Sequence, residues 1–179
     1  MQKILVSRCL LGQAVRYDAG SHGPFSLLQQ WQAEGRVVPL CPEVAGGLAV
    51  PRPPAERAGG QGEQVLDGLA AVLTDAGEDV SEAFLAGAAE AVRLVRQHGI
   101  RIAVLKARSP SCGNLHNYDG SFSGRKVSGQ GVTAAALQRQ GVQLFNEEQL
   151  EQAEACLQSL EDAGGATDAP TNQVKRFDD

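Results

Sequence analysis

No two of the four cysteines in this chain of 179 residues form a Cys-x-x-Cys pair. That removes zinc-ribbon and thioredoxin-like readings. Nor do the cysteines gather into the closely spaced run of a ferredoxin. The glycine-rich stretches match neither a P-loop nor a dinucleotide fingerprint. No internal repeat is visible, and no apolar run is long enough to span a bilayer. Met1-Gln2-Lys3 leads directly into an apolar run without a signal peptide, so a cytoplasmic location is expected. Thiols stay reduced there, and the cysteines read as metal ligands or reactive groups rather than disulfides. Positive charge is also short. With 16 Lys and Arg against 21 Asp and Glu, the net charge of -5 argues against a strongly basic nucleic-acid surface.

What is present is ordinary for a globular protein, with 42% hydrophobic and 21% charged residues. The length suits one domain with a substantial core. Gln2 to Ser7 read as a buried first strand, followed by a loop over 8–23. Pro24 is placed in the first turn of a helix carrying Phe25, Leu28 and Trp31 and stopped by Gly35. Val37 to Leu40 form a second strand, and residues 42–62 read as a long loop rich in Gly and Pro. The stretch 64–74 fits no single pattern. Asp79 and Glu82 have the spacing of a capping box for a helix with Phe84, Ala88, Ala91, Val92 and Val95 on one face, closed by Gly99. Ile100 to Leu105 form a third strand, 109–131 a second long loop, 132–140 a helix and Val142 to Phe145 a last strand. Asn146 and Gln149 cap a final helix to about Leu160, and the polar residues 161–179 are expected to be a disordered tail. Strands alternating with helices predict a single α/β domain over 1–160: a mostly parallel, Rossmann-like sheet flanked by helices.

Three cysteines, Cys9, Cys41 and Cys112, each lie just past the end of a predicted strand in a loop of turn residues. Right-handed crossovers bring strand ends to one edge of such a sheet, where these folds bind ligands. Two readings stay open from pattern alone: small buried hydrophobes, or a shared metal or cluster site. Cys156 falls among the apolar positions of the last helix and reads as a core thiol. A Cys/His nucleophile pair also remains open through His22, His98 or His116; the last two read more simply as a helix-terminal and an exposed loop residue.

Several motifs in order carry a resemblance. They are Cys9-Leu10-Leu11-Gly12 with Arg16-Tyr17-Asp18, and Cys41-Pro42-Glu43 with Gly46-Gly47-Leu48 and Pro51-Arg52. Lys106 then precedes Ser109-Pro110-Ser111-Cys112-Gly113, and Tyr118-Asp119-Gly120-Ser121-Phe122-Ser123-Gly124 precedes Gly129-Gln130-Gly131-Val132-Thr133. Over about residues 1–160 the chain resembles the thiouracil desulfurase (TudS-like) family. The resemblance implies a [4Fe-4S] cluster held by Cys9, Cys41 and Cys112, with one iron free of protein ligands. It implies a non-redox hydrolytic desulfuration: a thiolated pyrimidine becomes the oxo form and sulfide is released. On that reading Glu43 is the general base and Ser109 assists proton transfer or orients the substrate. The plainer alternatives are a Glu43 paired with Arg52 and serines that only close a turn with Pro110. Arg8, Arg16, Arg52, Lys106 and Arg108 are candidates to offset cluster charge; Tyr17, Tyr118 and Phe122 are candidates to stack on a heterocycle. Two other functions compete: a non-catalytic iron–sulfur or sulfur carrier, and a zinc site of three thiolates and water. The acidic balance gives no help with phosphate binding, so a small thiolated base or nucleoside is expected rather than tRNA.

Overall fold

The computed structural model describes residues Met1 to Gly165. At its centre is a four-stranded parallel sheet built from β1 (Ile4–Ser7), β2 (Val37–Leu40), β5 (Ile102–Leu105) and β8 (Gln143–Asn146), in the order β2-β1-β5-β8. The two inner strands, β1 and β5, are buried at every residue, as strands covered on both faces must be. Pro39 has no N–H to give a ladder and sits on an edge strand, β2, where none is missed on the outer side.

Side chains of the inner strands alternate between two apolar layers. Ile4, Val6, Ile102 and Val104 pack with Leu28 and Trp31 of α1 (Ser26–Ala33) and with Ala153, Leu157 and Leu160 of α6 (Leu150–Gly165). Leu5, Ala103 and Leu105 pack with Ala91 and Val95 of α4 (Ser81–His98) and with Ala134 and Leu137 of α5 (Val132–Arg139). The chain leaves β1 through α1 to reach β2, then returns through α4 to place β5 on the other side of β1. The connection reverses between β1 and β5, and that reversal is the topological switch point of the sheet. The Rossmann-like α/β expectation holds.

Several local expectations do not. Residues 42–62 contain α2 (Pro42–Ala45) and β3 (Ala55–Ala58), and the ambiguous stretch supplies α3 (Gly62–Leu66) and β4 (Ala71–Thr74), which pairs antiparallel with β3. The loop 109–131 holds a small antiparallel hairpin, β6 (His116–Tyr118) with β7 (Lys126–Ser128). Pro24 precedes α1 rather than lying in its first turn. The Asp79/Glu82 box does not form, because Asp79 Oδ1 accepts from Ser81 N–H at 2.9 Å and Ser81 Oγ is taken by the Val72 N–H at 2.8 Å. Asn146 ends β8 and does not cap α6, which starts at Leu150; in the turn between them Glu148 N–H donates to Asn146 Oδ1 and Asn146 N–H to Gln149 Oε1. That last helix runs to Gly165, past the expected end. Glu161 anchors it by accepting from Gln2 N–H at 2.7 Å and pairing with Arg36. The remainder of the expected tail, 166–179, lies outside the described residues. Among the described residues no helix is long and apolar enough to cross a membrane.

Candidate active site

A cleft of about 520 Å³ opens at the C-terminal edge of the sheet, over the switch point, and Cys9, Cys41 and Cys112 all line it. Each is presented by a different device. Cys9 lies in a single 3-10 turn, Arg8–Leu11, that continues directly from β1. Cys41 caps α2, with Pro42 at the first helical position where no N–H is needed. Cys112 lies in a loop pinned from both sides. The Ser109 hydroxyl oxygen accepts from the N–H groups of Ser111 (3.2 Å) and Cys112 (3.0 Å). The first N–H groups of α5 donate to the carbonyls of Pro110 and Ser111, with Val132 at 3.0 Å and Thr133 at 2.9 Å. Helix N-terminal donors that would otherwise be orphaned thus fix the loop.

Burial pushes the Cys9 thiol up to about 11, with the neighbouring Cys41 adding to the rise and Lys106 and Arg16 opposing it. Cys112 is raised further by burial, partly offset by the Ser7 hydroxyl bonded to it, with Cys41, Cys9 and Glu43 adding to the rise. The three thiols therefore lie within electrostatic reach of one another. Yet no three His, Cys, Asp or Glu side chains among the described residues converge where a single metal ion could sit. In an iron–sulfur cluster each thiolate meets a different iron and the ligands stand farther apart. All five basic candidates, Arg8, Arg16, Arg52, Lys106 and Arg108, line the same cleft, and four of them are paired with carboxylates: Arg16 with Asp18, Arg52 with Glu43, Lys106 with Glu147 and Arg108 with Glu148. The donor set fits the cluster implied by the sequence.

Glu43, in the first turn of α2, also lines the cleft. Its Oε1 accepts from Arg52 Nε at 3.2 Å, so the ion pair expected as the plainer alternative is present. Arg52 further donates to Ala49 O and Val15 O, both at 3.1 Å. Burial nevertheless raises the Glu43 carboxyl above its ordinary value, against the pull of Arg52. Ser109 lines the cleft as well. Its oxygen accepts two backbone bonds, and its hydroxyl proton is left for a partner. Ser111 is fully buried and bonded to Thr133 Oγ1 at 2.9 Å, a purely structural arrangement. Tyr17, Tyr118 and Phe122 all reach the cleft, with Tyr17 and Phe122 substantially exposed.

His98 and His116 are exposed and outside the cleft lining, and Cys156, on α6, is half-buried and packs against the edge of the layer that α6 forms with α1. Two residues at or beside the cleft, Glu147 and Glu56, were not singled out in the sequence, and His22, a candidate there, lines the cleft. Glu147, just past β8, holds Lys106 Nζ at 2.7 Å and accepts from Ala107 N–H at 2.8 Å. Its position after a strand end was the available signal. Glu56, in a stretch read as loop, lines the cleft and accepts from Gly120 N–H at 3.1 Å. His22 enters the cleft wall with its N–H bonded to Cys9 O at 2.8 Å. Burial and the cations Lys106 and Arg16 lower the His22 pKa.

A family model for 2-thiouracil desulfurase matches residues 4–149, a span that includes the three cysteines, Glu43 and Ser109. The chain belongs to the 2-thiouracil desulfurase family. It is 44% identical over 147 residues to YbbK of Bacillus subtilis strain 168, an uncharacterized protein, covering 82% of this chain and 97% of YbbK. It is 47% identical to the solved structure of TudS, a [4Fe-4S]-dependent thiouracil desulfidase. That match has a TM-score of 0.80 and covers 88% of this chain and 99% of TudS.

Proposed function

We propose that this protein is a [4Fe-4S]-dependent desulfidase that converts thiouracil, or a related thiolated pyrimidine base or nucleoside, to the oxo form. The observation that carries the proposal is one cleft lined by three thiols from three strand ends together with a buried carboxylate and a hydroxyl. Family membership and the likeness to TudS support it. Cys9, Cys41 and Cys112 would hold the cluster. When bound, such a cluster supplies a thiophilic iron with an open coordination position, hence a Lewis acid and sulfur acceptor.

The chain's own residues then have distinct tasks. Tyr17, Tyr118 and Phe122 stack on the heterocycle. Glu43 takes a proton from the attacking water, and the raised basicity of a buried carboxylate suits that task. Ser109, held by its two backbone bonds, orients the thiocarbonyl group or passes the proton on. The balance is thiocarbonyl plus water giving carbonyl plus hydrogen sulfide, with no net change of oxidation state. The net charge of -5 supports a small substrate over tRNA, and reduced thiols suit a cytoplasmic setting.

The test is anaerobic purification with iron and sulfide quantification, paired with a 2- and 4-thiouracil assay. Brown protein that releases uracil and sulfide is the expected result. A colourless protein carrying one zinc overturns the cluster, and a brown protein inert toward both substrates points to a carrier.

A further inference from the structure

The tip of the β6–β7 hairpin, residues 119–125, reaches across to the chain's other hairpin, β3–β4. Within the tip, Asp119 N–H donates to Arg125 O at 3.0 Å and Asp119 Oδ1 accepts from Ser121 N–H at 2.9 Å. Among the described residues, a single hydrogen bond ties the tip to another element: Gly120 N–H donates to Glu56 Oε1 of β3 at 3.1 Å. The two backbones meet at the same point. A Cβ on Gly120, whose φ is +95°, would fall 2.4 Å from Arg57 O, so only glycine fits there. Two residues on, Phe122 holds a φ of +56°, in the left-handed region that a side chain rarely adopts unless its surroundings impose it. Phe122 and Gly124 of the tip line the cleft, as do Tyr118 before it and Glu56 itself. Phe122 is 39% exposed and belongs to none of the apolar clusters of the core. Core packing therefore does not fix its ring; the tip backbone does, and Glu56 is what holds that backbone to β3.

We propose that Glu56 is a positioning residue: it pins the hairpin tip to β3 and so sets the Phe122 ring at the cleft to stack on a bound thiopyrimidine. This rests on the desulfidase reading and adds the residue that places the aromatic wall. The test uses anaerobically reconstituted wild type, Glu56→Ala, Glu56→Gln, Phe122→Ala and the double variant Glu56→Ala/Phe122→Ala. It measures iron and sulfide per chain, kcat and KM for 2- and 4-thiouracil, and uracil affinity by calorimetry. In the variants that keep Phe122 it also follows chymotrypsin cleavage after that residue, which reports how firmly the tip is held. For Glu56→Ala the expected result is wild-type cluster content, little change in kcat, and rises of about 10-fold in cleavage rate, KM and uracil Kd. Glu56→Gln, whose amide oxygen still accepts from Gly120 N–H, restores most of the loss. The double variant is no worse than Phe122→Ala, because Glu56 acts through that ring. Unchanged cleavage and affinity in Glu56→Ala overturn the proposal, as does loss of its cluster. Losses that add in the double variant, or a Glu56→Gln as impaired as Glu56→Ala, also overturn it by placing the carboxylate on the ligand itself. Wild type that converts neither thiouracil overturns the desulfidase reading separately, and the cleavage rates still decide whether Glu56 holds the tip.

Discussion

Glu43 has to serve an ion pair and a reaction at once. Arg52 Nε bonds its Oε1, and the same guanidinium is committed to two backbone carbonyls, so the carboxylate cannot swing away without leaving Arg52 half-satisfied. Glu43→Gln keeps an oxygen for Arg52 and the shape of the side chain but cannot hold a transferred proton. The expected outcome is unchanged iron and sulfide content with turnover lowered by about 100-fold or more. Uracil formation at matched cluster content checks it, and near-normal turnover removes Glu43 from the proton path. Arg52→Ala acts differently, by leaving a buried carboxylate unpaired. It is expected to cost about 3 kcal/mol of stability, read from urea midpoints. The three cysteines, Glu43 and Ser109 were legible in the sequence because each stands in a short local string with its turn residues. Glu147 was not, because its partner Lys106 lies on the neighbouring strand end and becomes adjacent only through the β5–β8 pairing.

The short helix α2 owes its position to two glycines. A Cβ on Gly46 would fall 1.9 Å from Ala83 O, and one on Gly87 would fall 2.0 Å from Pro42 O. The backbones of α2 and α4 are thus in direct contact, and this contact sets where Cys41 and Glu43 stand. Gly87→Ala gains about 1 kcal/mol of helix propensity. It also forces Pro42 off α4, and overpacking of this kind costs about 1–3 kcal/mol or more. The net expectation is a lower urea midpoint together with reduced iron per chain, and full iron content at wild-type stability would mean that α2 is not held this way. The same contact explains what the sequence left hidden. The continuous apolar runs of β1 and β5 and the periodic face of the long helix α4 can be read directly. The similarly short α2, β3 and β7 carry neither signal, and tertiary contact stabilises them. The Asp79 box does not form because its carboxylate accepts from the Ser81 N–H, two residues on, and α4 starts at Ser81.

Across the whole molecule, the two apolar layers on either side of the sheet rest mainly on Ile, Leu, Val, Trp and Ala. Cys9 and Cys112 each contribute a single buried side chain to one layer. Removing the cluster with a chelator under oxygen should therefore lower Tm while leaving the far-UV spectrum native, because ligand loss withdraws binding energy but not the core. Collapse of the far-UV signal would instead make the cluster part of the fold. The folded, cluster-free chain also isolates an acid-sensitive element. Burial alone would raise Glu147; its bonds to the Lys106 ammonium and the Ala107 N–H outweigh that and hold the carboxyl below its ordinary value. A group depressed in the folded state adds stability that is present above its unfolded value, about 4.3 for Glu, and is lost as pH falls through the folded value. Wild type should lose this contribution below about pH 4. Glu147→Gln should start lower at neutral pH and show a shallower fall on acidification. Urea midpoints measured from neutral pH into this range for both proteins read the difference directly. Parallel curves would mean that the Lys106–Glu147 pair contributes nothing to holding the β5 and β8 ends together.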